Sequence, residues 1–165
     1  MVQEPTEEIE IIDFQPQYAS DFRRLNYEWL ATYFEVEPYD EIVLNNPARE
    51  VIDRGGLILF AVAGGNTVGT CALLKQTDRK YELAKMAVTE QYRGRGIGRK
   101  LLNAAIKKAE DLGADTIVLA TSTKLAAANH LYESMGFEYV SMSELGPIPY
   151  KRQTVAMELV LARRA

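Results

Sequence analysis

Residues 81–140 read YELAKMAVTEQYRGRGIGRKLLNAAIKKAEDLGADTIVLATSTKLAAANHLYESMGFEYV, and the hydrophobic period changes repeatedly within that stretch. Tyr81–Val88 is an apolar run of strand length. Beyond it Leu101, Leu102, Ala105, Ile106, Ala109 and Leu112 recur at helical spacing, opposed by Arg99, Lys100, Asn103, Lys107, Lys108 and Asp111. One apolar stripe against one polar face predicts an amphipathic helix. Gly113 stands where a left-handed C-terminal cap belongs. TIVLAT (116–121) is a short continuous apolar run, expected as a buried strand parallel to its predecessor. A second helix over 124–136 closes at Gly136, and FEYVSM (137–142) is the next strand.

Outward from that stretch, LILFAVA (57–63) and TVGTCALLK (67–75) flank a Gly64-Gly65-Asn66 turn, which predicts a hairpin. With polar Gln76–Lys80 as a loop, these two strands and 81–88 form an antiparallel meander. Upstream, EIEIIDF (8–14) reads as a strand and Pro16–Phe34 as a helix carrying Tyr18, Phe22, Leu25, Trp29 and Tyr33. A shorter helix falls around Glu41–Asn46, and Ala48–Asp53 forms one more turn before Gly55-Gly56. Downstream, a proline-bearing loop leads to a last strand at 154–161. The expected fold is α/β, a mixed, mostly antiparallel sheet flanked by helices in the order β-α-α-β-β-β-α-β-α-β-β. At 165 residues, without repeat or linker, one domain over 1–165 is expected.

Composition narrows the function. No apolar run approaches the roughly 18 residues of a membrane span, and the acidic opening MVQEPTEEIE lacks the layout of a signal peptide. Lone Cys71 suits a reducing, cytoplasmic setting and excludes a cysteine-rich zinc site, and lone His130 leaves little material for a multi-histidine metal centre, so no metal is expected. The net charge of −4 divides unevenly: residues 1–53 carry thirteen acids and three bases, the remainder ten acids and sixteen bases. Arg93, Arg95, Arg99, Lys100, Lys107 and Lys108 fall within 91–108 with no acid among them. A basic run this local suggests a specific anion site rather than a nucleic-acid surface; its plainer reading is a solvated helix face. No membrane or nucleic-acid partner is expected, and a homodimer is left open.

Arg93-Gly94-Arg95-Gly96-Ile97-Gly98 joins a strand to a helix, where glycine admits positive φ and unpaired amides at the helix start form an anion cradle. A phosphate loop of the Gly-Lys-Ser/Thr type is excluded by Gly98-Arg99-Lys100. A dinucleotide fingerprint is excluded because Arg99 stands at its third glycine. The pattern present is Arg-x-x-Gly-x-Gly, at Arg93, Gly96 and Gly98.

With that motif and its element order, roughly residues 57–160 resemble the GCN5-related N-acetyltransferase superfamily. The resemblance implies transfer of an acetyl group from acetyl-CoA to a primary amine of a small molecule, amino acid or peptide, by direct attack and without a metal. It implies that the pyrophosphate lies over the amides of Arg93, Gly94, Arg95, Gly96, Ile97 and Gly98, with Arg99 beside them, and that the pantetheine arm adds along Met86, Ala87 and Val88. Asn129 and Tyr132, three apart on one helix face, would contact the coenzyme, Tyr132 protonating the leaving sulfur. Glu82 opens the strand in a Glu-x-Ala-x-x-Ala-Val-Thr setting that matches a base glutamate of the histone-acetylating branch. A base is needed because an amine of pKa about 10.4 is neutral in only about one molecule in a thousand at pH 7. An amide near Met86 or Ala87 is the expected oxyanion donor.

Outside the motif the signals are broader. Trp29, Tyr33, Tyr150 and Arg152 are candidate substrate residues, Arg152 with Lys151 as a holder of a carboxylate, although aromatics at helical spacing are commonly core. His130 reads as exposed or capping and Cys71 as a buried thiol. Two other functions share the pattern: a coenzyme-A-binding regulatory module without turnover, and an acyltransferase for longer chains.

Overall fold

The computed structural model describes residues 8–147 and 149–161; the acidic opening over 1–7 lies outside them. Strand β1 (Ile9–Asp13) leads through one 3-10 turn into α1 (Ala19–Tyr33) and α2 (Pro38–Asn45). A π-helical turn follows at Ala48–Ile52, then β2 (Leu57–Ala63), β3 (Asn66–Thr77) and β4 (Lys80–Val88). The second half runs α3 (Ile97–Asp111), β5 (Thr116–Thr121), α4 (Ala126–Ser134), β6 (Glu138–Val140) and β7 (Val155–Val160). All seven strands join one sheet in the order β1-β2-β3-β4-β5-β7-β6. Every pairing is antiparallel except β4 with β5. The sequence-predicted fold class and the central meander are therefore present.

Both faces of the central strands are covered, so β3 is buried continuously from Thr67 to Leu73. On one face the stripe of α3, from Ile97 through Leu101, Leu102, Ala105, Ile106 and Ala109, packs with Leu59, Val68, Cys71 and Leu73. Burying each leucine contributes about 1.5–3 kcal/mol. Gly69 permits the approach: a Cβ there would lie 3.1 Å from Leu101 Cδ1 and 3.2 Å from Ile97 Cγ2. On the other face Phe22 and Leu30 of α1 and Val43 and Leu44 of α2 cover Ile58, Phe60 and Ala72.

Two irregularities of β4 position everything that follows. Thr70 pairs with Ala87 but Ala72 with Ala84, so Lys85 and Met86 together oppose Cys71 in a β-bulge. Lys85 takes φ +54°, the one positive φ outside glycine among the described residues. The extra residue reverses the parity of the strand. Tyr81 and Leu83 face the α3 core before it, whereas Met86 and Val88 face that core after it. Second, β4 pairs with β5 only from Lys80–Glu82 to Thr116–Val118. Beyond those three pairs the strands part, while β7 follows β5 along its whole length on the far side.

Local boundaries differ from the sequence reading where backbone hydrogen bonding outweighs polarity. The polar stretch 76–80 is mostly strand, because β3 and β4 pair as far as Thr77 and Lys80. Helix α2 starts at Pro38 rather than Glu41, since Glu37 and Asp40 form a reciprocal capping box with proline at the first turn. Helix α4 starts at Ala126 because Ser122 holds the preceding turn, accepting from Lys124 N (3.2 Å) and Leu125 N (3.0 Å). The strand expected over 137–142 shrinks to Glu138–Val140 and gives way to a 3-10 turn capped by Ser141.

Candidate active site

The parting of β4 and β5 opens a cleft of about 650 Å³, within the ordinary range for ligand pockets. Its walls are Leu83–Val88 of β4 and Leu119–Ser122 at the end of β5. The start of α3, residues of α4 and Tyr33, whose hydroxyl accepts from Arg93, lie at one end; Tyr150 and Arg152 lie at the other, and Trp29 and Phe34 also line the cleft. Two strand edges that no longer bond each other present backbone donors and acceptors to whatever lies between them, so an extended chain can bond there as an added strand.

At the first end the glycine loop is shaped for an anion. Gly94 and Gly96 both take φ +77°, which an L side chain adopts only under strain. Gly96 caps α3, and the first amide bonded back into the helix is Lys100 N, to Gly96 O at 3.1 Å. The amides of Ile97, Gly98 and Arg99 are thus free at the positive end of the helix dipole. Arg93 lies alongside: Nε donates to Val88 O (2.9 Å) and Nη1 to the Tyr33 hydroxyl (3.4 Å). Its Nη2 is the buried side-chain polar atom left without a partner among the described residues. A half-buried guanidinium whose Nη2 has no partner among the described residues, together with three unfilled amides, fits phosphate oxygens. Glu28 of α1 braces the loop by accepting from Thr89 Oγ1 and from Glu90 N, each at 3.0 Å.

Met86, Ala87 and Val88 line the cleft together with Tyr132. Tyr132 is 9% exposed and packs on Phe137 at 5.9 Å between ring centroids. Burial, and then proximity to Cys71, pushes its phenol up to about 12, so it keeps its proton throughout the neutral range.

The second end is built on charge. Asp40 is fully buried and takes both prongs of Arg152, Nη1 at 2.8 Å and Nη2 at 2.7 Å, together with Lys85 Nζ and the backbone N of Glu37 at 2.9 Å. Arg152 Nη1 also reaches Glu37 Oε2 at 3.2 Å. Both cations rest on the Tyr150 ring, Lys85 at 4.3 Å and Arg152 at 4.1 Å. Burial works to raise Asp40 but is outweighed by Arg152 and Lys85, and its carboxyl ends below the usual range. Burial lowers Lys85 to about 8 despite Asp40, with Arg152 adding to the depression.

Of the residues singled out by sequence, Met86, Ala87, Val88, Arg93, Gly94, Gly96, Ile97, Gly98, Arg99, Tyr132, Trp29, Tyr33, Tyr150 and Arg152 are brought together on the cleft wall. Three are not. Arg95 lies over the Tyr92 ring at 4.8 Å. Asn129 is buried behind the wall, where Nδ2 donates to Ser122 O (2.9 Å) and Oδ1 accepts from Thr121 Oγ1 (2.8 Å), fastening α4 to the end of β5. Glu82 precedes the stretch of β4 that lines the cleft, beside Gln76 and within electrostatic reach of Lys85; burial raises its carboxyl, and those two neighbours only partly offset the rise. Arg152, a candidate carboxylate holder, has its guanidinium committed to Glu37 and Asp40. Lys85 and Asp40 escaped the sequence reading because they lie 45 positions apart and neither occurs in a recognisable spacing. Among the described residues no group of three or more His, Cys, Asp or Glu could hold a metal.

Comparison with known proteins agrees with this architecture. The profile of the "Acetyltransferase (GNAT) family" matches residues 18–137. The chain is 35% identical over 104 residues to "Uncharacterized N-acetyltransferase YvbK" of Bacillus subtilis, spanning 61% of this chain and 67% of that protein. Its backbone superposes on a GNAT-family acetyltransferase from Staphylococcus aureus with a TM-score of 0.85, 24% identity and coverage of 93% and 99% of the two chains. The PaiA N-acetyltransferase of Thermoplasma acidophilum, solved with coenzyme A, gives 0.72 at 20% identity, covering 93% and 99%.

Proposed function

From the premise that the chain belongs to the GNAT acetyltransferase family, we propose that it transfers acetyl from acetyl-CoA to a primary amine. The observation that carries the donor assignment is the unpartnered, buried Nη2 of Arg93 beside the free amides that open α3. Arg93, Arg99 and the amides of Ile97, Gly98 and Arg99 would hold the phosphates, and the freed edge of β4 at Met86–Val88 the pantetheine arm. Bound there, acetyl-CoA supplies a thioester carbonyl as electrophile and a thiol of pKa about 8.5 as leaving group.

The residues of this chain then divide the proton work. Tyr132, kept protonated by burial, donates to the departing sulfur. An amide near Met86 or Ala87 donates to the oxyanion without reorganisation. Glu82 is the carboxylate toward which the acceptor's proton moves. It lies one position before the stretch of β4 that lines the cleft, so that proton reaches it through a neighbouring group. The acceptor amine enters between Trp29, Tyr33, Tyr150 and Arg152.

Calorimetric titration with acetyl-CoA tests the donor, and a thiol-release screen against alkylamines, polyamines, amino acids and peptides tests the transfer. Binding with thiol release on adding one amine class is expected. Failure to bind acetyl-CoA would overturn the donor assignment, and binding without release from any amine would leave a coenzyme-binding module.

A further inference from the structure

We infer that Lys85 is a further catalytic residue of the acceptor end, the group that takes the proton from the incoming ammonium. The inference rests on the acetyltransferase reading and adds to it the base that reaches the cleft. Lys85 lines the cleft and Glu82 does not. The bulge aims it there: a positive-φ residue that breaks the parity of a strand re-directs one side chain, and this one goes to the α2 side of the sheet, one residue before Met86.

Its electrostatic setting makes it the one of the two cations that can give up a proton. Two cations share the fully buried carboxylate of Asp40. Arg152 takes both oxygens with its fork and keeps its charge at any working pH; Lys85, with 6% of its side chain exposed, contacts Oδ1 alone and is the cation of the pair whose charge can be lost. The groups around it are Asp40 and, through Arg152, Glu37 from α2; Tyr150 and Arg152 from the segment before β7; and Glu82 from its own strand. Tyr39 stacks on Tyr150 at 5.6 Å and closes the cluster. The depression of Lys85 to about 8 agrees with this placement, and puts a base much closer to neutral pH than an ordinary lysine.

The step balances. Neutral Lys85 Nζ accepts one proton from the acceptor's ammonium, whose lone pair is then free to form the C–N bond. Lys85 becomes an ammonium held by Asp40 and passes the proton on by way of neighbouring Glu82 to solvent before the next cycle.

Two measurements test it. In lysine-labelled protein, the Lys85 Cε resonance, assigned by its loss in Lys85→Arg, should titrate with a midpoint near 8 and lower still in Asp40→Asn; a Lys85 that stays protonated through about pH 10, as a free lysine does, would overturn the inference. In kinetics, n-butylamine (protonated at neutral pH) is compared with acethydrazide (neutral there). Lys85→Met and Lys85→Arg should each lower kcat for n-butylamine by about 10²-fold or more, with acethydrazide turnover and acetyl-CoA affinity nearly unchanged. Equal losses for both nucleophiles would show Lys85 to be structural only. A wild type that binds acetyl-CoA but acetylates no amine would count against the transferase reading, and the resonance titration would still decide the state of Lys85.

Discussion

The two ends of the cleft are built on opposite plans. The glycine-loop end is made mostly of backbone: two positive-φ glycines, three free amides and a single arginine with an unfilled donor. The Asp40 end is made of side chains from α2 and its N-cap, β4 and the segment before β7, whose charges already satisfy one another around Asp40. An open cradle waits for an anion, whereas a closed network has more to lose when one member goes. Substitutions should therefore act on binding at one end and on stability and proton transfer at the other.

The largest expected effect is at the closed end. Asp40→Asn leaves Lys85 and Arg152 buried without their shared carboxylate, and should lower the unfolding free energy in urea by about 3–5 kcal/mol; a loss below about 1 kcal/mol would mean that the network contributes little. At the open end, Gly96→Asp combines a left-handed φ with a carboxylate facing phosphate. Acetyl-CoA affinity should fall about 100-fold or more, equivalent to about 2.7 kcal/mol, with the fold retained by circular dichroism. Unchanged calorimetric binding would put the phosphates elsewhere.

Between the two ends, Tyr132→Phe should reduce kcat about 10²-fold while coenzyme affinity stays nearly constant. Full turnover would remove Tyr132 as the acid. Because burial holds the phenol up at about 12, its deprotonation should add no alkaline limb to kcat below about pH 10.

A separate effect falls on the pH dependence of stability. Lys85 titrates near 8 when folded against 10.5 as an ordinary lysine. Across that window the unfolded chain binds more protons at this site, so its contribution to stability rises with pH. Cys71 (9.0 to about 12) and Tyr132 (10.0 to about 12) act oppositely, since the native state keeps protons that the unfolded chain has shed. Urea titrations of wild type and Lys85→Met should therefore diverge upward for wild type from pH 8 to 10.5. Parallel curves would mean that Lys85 titrates normally.

The legibility of the molecule follows the same division. The glycine loop, the α3 stripe and the strands around them were readable because each depends on neighbours a few positions away. Arg95 and Asn129 were placed on the site by motif and face, yet their side chains have other partners, Tyr92 for the first and the end of β5 for the second. Helical spacing tells which residues share a face, and not whether that face meets ligand or sheet. Glu82 is legible in the sequence, but it lies one position before the stretch of β4 that lines the cleft. Arg152 was found as a candidate for substrate, and its guanidinium is held by Glu37 and Asp40.

By itself the sequence determined the strand–loop–helix unit and its anion cradle, because periodicity, glycine φ and free helix amides are local physics, and a resemblance in motif and element order pointed to the family. Tertiary structure alone decided that β7 lies between β5 and β6, that β4 leaves β5 after three pairs, and that the bulge aims Lys85 at Asp40. Pairing register and buried charge networks depend on segments far apart in the chain, and only the folded sheet brings those segments into contact.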